Sequence, residues 1–564
     1  MRSSRWLPLV GLLLIATVLR ALNLTGESLW RDEIDIIRFA LGPSQEVLTS
    51  FTRTGFNGPF YIVLMRLWLS LGGVNDFTLR YLSLLCGVGL VAIVFVLARR
   101  LLGERAAFIA AWLTAISPVH IWYSGEGKMY TLQPLLLLVA LYAWVRVMGY
   151  GLWVNEWGQP ITHNQQLTTR WWVIFVIATT LGFYTHVLSP VFLIVAVVEF
   201  LVHGPRSKMQ LKPALVALAC LTLPYLPLLM WQAPALLRGG TSGHPFFSLN
   251  NMALLLLADW SIGFGGNAPL FFMLQPGWVR TACILLFAIA ALLGLVRTTA
   301  RCPLSTATLL AWLALPILAV FAISLRTPIF EPRYLLWCAP ALYMLVGAGI
   351  GGLEFGRLEI RRVNLQPFDK LRTQSLTLRQ AQDAVSNLPS SITLTLLTGI
   401  SLLGLAAQII QPIRPDLRGG ANFIASQMQP SDMLVFQIPY NKFGFEYYLT
   451  RRQPPTLRQA QDAVSNLPLS HSPNPQSHFI EAPYTNYGMS ADEVSVELRA
   501  HLPPNHRVWL IETEPGMWDS RGLVRAWFDA TLPLIERRSF NGLTISLHLP
   551  ERYLTYAVYL PWIQ

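Results

Sequence analysis

Apolar runs alternate with short polar segments from Leu7 to Ile410, and the pattern then changes character. Crossing ~30 Å of hydrocarbon as a helix takes about 20 apolar residues. Runs of about that length lie at 6–23, 81–98, 106–122, 131–148, 171–186, 187–203, 213–231, 279–296, 304–325, 334–352 and 392–410. They predict about 11 transmembrane helices. The stretch Gly58–Leu71 is apolar but short and carries Arg66. It predicts a helix lying on the outer membrane surface within a long first outer loop, 24–80. Beyond residue 410 the period shifts. Met433–Ile438, Val508–Ile511 and Leu543–Leu547 read as strands, and Gly420–Met428 and Gly522–Ala530 as helices. The expected architecture is a mainly α-helical polytopic membrane protein, with a transmembrane domain at 1–410 and a small extracytoplasmic α/β domain at 411–564.

Charge orients the helices. Arg2/Arg5, Arg99/Arg100/Arg105, Arg146/Arg170, Arg206/Lys208/Lys212, Arg297/Arg301 and Arg357/Arg361/Arg362 all fall on one side of this topology, which the positive-inside rule makes cytoplasmic. The N-terminus is then cytoplasmic and the C-terminal domain outside, in a multi-pass protein of the plasma membrane. The run Leu7–Leu22 resembles a signal peptide but lacks a small-x-small cleavage site, carries Arg20 near its end and is followed by Asn23 and Leu24, which reads as a retained anchor.

Composition agrees. The 564 residues are 53% hydrophobic and 13% charged, against roughly 25% charged in soluble domains. The net charge of +12 sits between hydrophobic runs, where it serves topology rather than nucleic acid. The cysteines, Cys86, Cys220, Cys283, Cys302 and Cys338, lie in or beside apolar runs without metal-ligand spacing, and 411–564 has none. That domain must fold without disulfides. A 13-residue segment, Thr377–Pro389, recurs identically at Thr456–Pro468. One copy falls in a cytoplasmic loop and the other outside, so the topology argues against a shared task. Residues 363–391 and 453–475 read as inserted repeat loops.

The candidate chemistry gathers at the outer ends of spans. Asp32 and Glu33 open the first outer loop in Trp30-Arg31-Asp32-Glu33. Carboxylates beside a bilayer lose hydration. One can act as general base on a hydroxyl while its neighbour holds a metal or fixes orientation, although solvated charges on an interfacial helix look the same. Glu126 and Lys128 are compressed between Tyr123 and Tyr130. His186, in Tyr184-Thr185-His186, separates two apolar runs. It is a helix-end residue, a phosphate contact or a metal ligand. Arg333, in Glu331-Pro332-Arg333-Tyr334, either anchors a helix at the headgroups or pairs with a phosphate through its guanidinium fork.

These residues carry a resemblance. A membrane anchor, Trp-x-Asp-Glu at 30–33, Gly58-Pro59-Phe60-Tyr61, Phe77-x-x-Arg80, Ala98-Arg99-Arg100-Leu101-Leu102-Gly103, Ser117-Pro118, Tyr123-Ser124-x-Glu126-x-Lys128-Met129-Tyr130, Tyr184-Thr185-His186 and Arg333-Tyr334 follow in order. Together they resemble the multi-spanning C-type glycosyltransferases over roughly residues 1–350. The branch is that of protein O-mannosyltransferases and the aminoarabinose transferase of lipid A. The resemblance implies an inverting transferase using a polyprenyl-phosphate-linked sugar donor and a protein, lipid or glycan acceptor. It makes Asp32 the base, Glu33 the second acid, and Glu126, Lys128, Tyr130, His186, Arg333 and Tyr334 substrate-binding residues. A divalent cation on Glu33, Glu126 and His186 is left open. Gly58-Pro59 departs from the usual His-Pro-Pro, and relatives with an acid directly before Pro meet Gln133-Pro134 here. The rival from another class is a transporter or flippase of lipid-linked glycans, which calls for charges near span centres.

Overall fold

The structure, a computed structural model, describes residues 6–45, 47, 57–148, 165–203, 208–238, 244–263, 277–351, 390–450 and 479–550. Both copies of the repeat, Thr377–Pro389 and Thr456–Pro468, lie outside the described residues. The chain forms two compact units. One comprises Met1–Leu22, Leu48–Leu64 and Arg80–Gln411; the other comprises Asn23–Val47, Met65–Leu79 and Pro412–Gln564.

The first unit is helical. Among the described residues five helices are long and apolar enough to cross a membrane: Asp76–Leu102, Gly277–Arg301, Pro303–Ser324, Pro332–Gly351 and Ser391–Ile410. Shorter apolar helices occupy Leu7–Ala21, Leu132–Met148, Thr169–Phe183, Ser189–Leu201 and Lys212–Pro227. The expected run at 106–122 is helical but broken. Glu104–Ile116 and Pro118–Ser124 meet at 57°, because Pro118 has no N–H to donate and its ring crowds the preceding turn. Ser117, held extended at ψ 121°, is the residue that a following proline excludes from helix. One helix falls where a loop was expected: Leu249–Ile262, capped by the Ser248 hydroxyl accepting from the Asn251 N–H at 3.3 Å. Its 14 residues are too few to read as a span.

Three helices of this unit touch backbone to backbone. A Cβ on Gly294 would stand 1.8 Å from the Leu345 carbonyl oxygen, one on Gly349 2.0 Å from that of Ala290, and one on Gly347 2.5 Å from that of Ala106. Glycine is what permits this approach, and close backbone packing replaces the hydrophobic drive that lipid-immersed helices lack.

The second unit carries a five-stranded sheet. Its strands are β1 Met433–Phe436, β2 Phe479–Glu481, β3 Val508–Thr513, β4 Leu534–Phe540 and β5 Leu543–His548, in the order β2-β1-β3-β5-β4. β1 runs parallel to β2 and β3, while β5 is antiparallel to β3 and β4. β1 and β3 are buried along their whole length, as strands covered on both faces must be. Val494, Leu498, Val524 and Phe528, from the helices Ala491–His501 and Leu523–Thr531, pack on Met433, Val435, Val508 and Leu510. β4 is an edge strand whose Glu536, Arg537 and Arg538 keep other edges from pairing with it.

The first-loop segment Asn23–Val47 belongs to this unit. Ser28 Oγ donates to Asp416 at 2.8 Å and accepts from the Arg418 N–H at 3.0 Å, and Glu27 accepts the Ile413 N–H at 2.9 Å. The Tyr448 hydroxyl accepts the Leu29 N–H at 2.7 Å and donates to Asp76 at 3.0 Å; Arg418 meets the same carboxylate at 2.8 Å. The helix Arg31–Leu41 lays Arg31 over the Tyr440 ring at 3.8 Å and Arg38 over Phe443 at 3.6 Å.

Candidate active site

In the membrane unit the bent pair of helices delivers the turn Gly125–Thr131. Its backbone is fixed from behind. Ser83 donates to the Lys128 carbonyl at 3.1 Å, the Tyr61 hydroxyl lies 3.3 Å from Ser83 Oγ, and the Lys128 N–H reaches the Glu126 carbonyl at 2.7 Å. Within this turn Glu126 is fully buried, and the buried Tyr123 and Tyr130 rings meet edge to face at 5.3 Å.

A second turn, Tyr184–Leu188, is tied to the chain around Gly58. The Phe60 N–H donates to the Tyr184 carbonyl at 2.9 Å, and Asn57 Oδ1 accepts the Val187 N–H at 3.3 Å. A Cβ on Gly58 would stand 2.1 Å from the Tyr184 oxygen. Gly58 therefore sits where no side chain fits, and two motifs 126 residues apart in the sequence, Gly58-Pro59 and Tyr184-Thr185-His186, form one structure.

His186 is buried, and its Nδ1 accepts the Leu188 N–H at 3.2 Å. A ring that accepts at Nδ1 carries its proton on Nε2, and among the described residues Nε2 has no hydrogen-bond partner. Around the ring stand Tyr334 at 5.0 Å and Tyr130 at 6.3 Å, centroid to centroid. The Arg333 guanidinium carbon lies 5.4 Å from the Tyr130 centroid and 5.6 Å from that of Tyr334, and the charges of both Arg333 and Lys128 act on His186. Pro332 presets the first turn of the 3₁₀ helix Pro332–Cys338, the turn that carries Arg333 and Tyr334. His244 pairs with Glu331 at 3.1 Å and faces Tyr334 at 6.4 Å.

The structure thus brings Tyr130, His186, Arg333 and Tyr334 into one cluster. Lys128 acts on it and Glu126 lies in the adjoining turn. Two cations and an imidazole N–H beside aromatic rings can hold a phosphate dianion and a sugar face.

Asp32 and Glu33 lie in the second unit, at the second and third positions of the helix Arg31–Leu41, where acids suit the positive helix end. Glu33 is fully buried. It accepts the Trp30 N–H at 3.4 Å and stands 3.6 Å from Arg414, which also lies 3.6 Å from Glu27. Asp32, next to it, is half-buried. Among the described residues no group of three His, Cys, Asp or Glu side chains could hold a metal ion.

Several members of these arrangements escape sequence reading. Arg414, His244 and Ser83 stand outside any motif, and only their fold neighbours reveal them. Arg414 offered one weak signal, a lone basic residue directly after the last span.

The family profile described as "Dolichyl-phosphate-mannose-protein mannosyltransferase" matches residues 57–231, the stretch holding Gly58, Glu126, Lys128, Tyr130 and His186. No curated protein matches the chain. Among solved structures, ArnT from Cupriavidus metallidurans in the apo state is similar at a TM-score of 0.56 and 13% identity, over 97% of this chain and 98% of that one. The same protein bound to undecaprenyl phosphate gives 0.54 and 14%, with the same coverage. The apo oligosaccharyltransferase of Archaeoglobus fulgidus gives 0.53 and 13%, over 97% of this chain and 75% of that one. The chain therefore has the polytopic fold of ArnT and the archaeal oligosaccharyltransferase, and over residues 57–231 it carries the sequence pattern of the dolichyl-phosphate-mannose-protein mannosyltransferases.

Proposed function

We propose that this protein is an inverting glycosyltransferase. It moves a sugar from a polyprenyl-phosphate-linked donor to a hydroxyl of a protein, lipid or glycan acceptor at the outer face of the cytoplasmic membrane. The observation that carries the reading is the cluster of His186, Arg333, Tyr130 and Tyr334 in an apolar helical unit, with Lys128 in the same turn as Tyr130. Cations and an N–H donor at the ends of apolar helices suit a lipid phosphate. The match to the mannosyltransferase profile supports this. So does the ArnT structure bound to undecaprenyl phosphate, a lipid of the class proposed.

In this reading a prenyl phosphate needs stabilisation rather than activation as a leaving group. Arg333, Lys128 and His186 Nε2–H take up the negative charge that grows on the bridging oxygen, and fixed donors do this without reorganising. Tyr130 and Tyr334 bracket the sugar, and Glu126 orients its hydroxyls. Asp32 removes the acceptor proton as the acceptor oxygen bonds to the anomeric carbon. The carbon–phosphate oxygen bond breaks on the opposite side, and the lipid phosphate departs with the electron pair. One displacement inverts the configuration. Glu33, held by Arg414 and the Trp30 N–H, fixes the turn that presents its neighbour.

The test is sugar transfer by purified full-length protein in proteoliposomes, offered a panel of radiolabelled polyprenyl-phosphate sugars. Transfer from one of them, lost by about 10²–10⁴-fold in Asp32→Asn, is the expected result, since a positioned base is worth that much. Full activity of Asp32→Asn refutes the base. Failure of the wild-type protein with every donor refutes the class of reaction.

A further inference from the structure

The first helix, Leu7–Ala21, carries an arginine where the surrounding sequence is apolar. Arg20 is 2% exposed. An unsatisfied guanidinium in a membrane interior is costly, yet every nitrogen of this one is engaged. Nη1 donates to the Ala115 carbonyl at 2.9 Å and the Ala16 carbonyl at 3.1 Å, Nη2 to the Thr114 carbonyl at 3.1 Å, and Nε to Ser124 Oγ at 3.1 Å.

The two carbonyls on the neighbouring helix are the ones the break sets free. Thr114 would bond to the N–H of residue 118, which proline lacks, and the extended Ser117 swings the following turn away from Ala115. Ser124 ends the short helix beyond the break and immediately precedes the turn holding Glu126, Lys128 and Tyr130. One side chain therefore grips both arms of the 57° bend. Room for it comes from Gly87, where a Cβ would stand 2.1 Å from Ser124 Oγ and 3.0 Å from Arg20 Nε.

We propose that Arg20 is a positioning residue for sugar transfer. By satisfying the carbonyls that Pro118 exposes and holding Ser124, it sets where the Tyr123–Tyr130 turn stands. The inference rests on the glycosyltransferase reading. It also separates two roles that a single substitution mixes, holding the helix together and aiming the turn. Replacing Pro118 by alanine restores an N–H to Thr114, which repairs the orphaned carbonyl but lets the helix run straight. Stability returns without the bend.

The experiment uses the full chain in proteoliposomes as wild type, Arg20→Met, Arg20→Lys and the double variant Arg20→Met/Pro118→Ala. It measures kcat and KM for the polyprenyl-phosphate sugar, undecaprenyl phosphate binding and the thermal unfolding midpoint. Arg20→Met is expected to lower kcat by about 10–10²-fold, the scale of an ångström of misplacement, with a lowered midpoint. The double variant regains the midpoint and not kcat. Arg20→Lys, a single ammonium that cannot span both arms, falls between, and it carries the comparison if Arg20→Met does not accumulate. A wild-type kcat in Arg20→Met, or kcat recovering together with the midpoint in the double variant, overturns the proposal. Wild-type protein that neither binds undecaprenyl phosphate nor transfers sugar overturns the glycosyltransferase reading, and the aiming role of Arg20 with it.

Discussion

Gly58→Ala adds one methyl group to a place the structure has closed. The added Cβ would stand 2.1 Å from the Tyr184 carbonyl oxygen, whereas ordinary van der Waals contact begins at 3.4 Å. The missing separation is about 1.3 Å, and the obstacle is backbone, which cannot swing aside as a flexible side chain can. The two strands of chain must part, and the hydrogen bond from the Phe60 N–H to the same oxygen, 2.9 Å long, stretches with them. Overpacking of this kind costs about 1–3 kcal/mol, and the strained bond adds roughly 1 kcal/mol. The functional effect is larger, because His186 lies two residues beyond Tyr184 and its ring stands tilted against those of Tyr130 and Tyr334. Displacing a donor by about 1 Å costs about 10²-fold in rate. The assay is kcat/KM for transfer from the polyprenyl-phosphate sugar, with thermal unfolding measured alongside. Gly11→Ala and Gly277→Ala, where nothing lies within 4 Å of the new methyl group, serve as controls and should leave both quantities unchanged. A Gly58→Ala enzyme within threefold of wild type would show that the junction of residues 57–60 with Tyr184–Leu188 does not shape the site.

Arg414→Met leaves the carboxylates of Glu27 and Glu33 buried without their shared cation. Removing one side of a buried pair costs about 3–5 kcal/mol, so a clear drop in the unfolding midpoint is expected, and an unchanged midpoint argues that the pair is idle. Asp432 gives a pH dependence. Burial alone would raise its pKa, but hydrogen bonds from Arg507, the Gln429 N–H and the Trp509 indole hold it below the usual carboxylate range. A lowered folded-state value contributes stability that is present above the unfolded pKa, near 4, and is lost as pH falls through the folded one. The midpoint should therefore drop from pH 5 towards pH 3, with a shallower slope in Asp432→Asn; an identical slope removes Asp432 from the account. Deleting Thr377–Pro389 should alter transfer by less than twofold, and an inactive deletion would show that the repeat is more than an insertion.

The apolar pattern locates the long helices, because a bilayer demands about 20 apolar residues whatever their packing partners, but it passes over Leu249–Ile262, whose 14 residues fall short of that length. It could not show the bend at Ser117–Pro118, where one missing N–H matters more than the surrounding hydropathy. Strands β1, β3 and β5 were legible as apolar β-branched runs. β4 was not, since its edge position fills Leu534–Phe540 with Glu536, Arg537 and Arg538, and β2 spans only three residues. At the site, Lys128, His186 and Arg333 stand out because a charged or polar side chain at a span end is conspicuous. What each one faces depends on contacts between distant segments, and so the tie between Gly58 and Tyr184 had no trace in either motif alone. Glu33 illustrates the same limit, because its partner Arg414 lies 381 residues away in the sequence.

The glycine contacts at Gly294, Gly347 and Gly349 carry a mechanical consequence. Where one helix rests on the carbonyl oxygens of the next, no rotamer change can loosen the seam, and no acyl chain can slip between the helices. Glu104–Ile116, Gly277–Arg301 and Ala339–Gly351 then behave as a welded plate. Methyl groups introduced along its seam should force the helices apart rather than tune their packing.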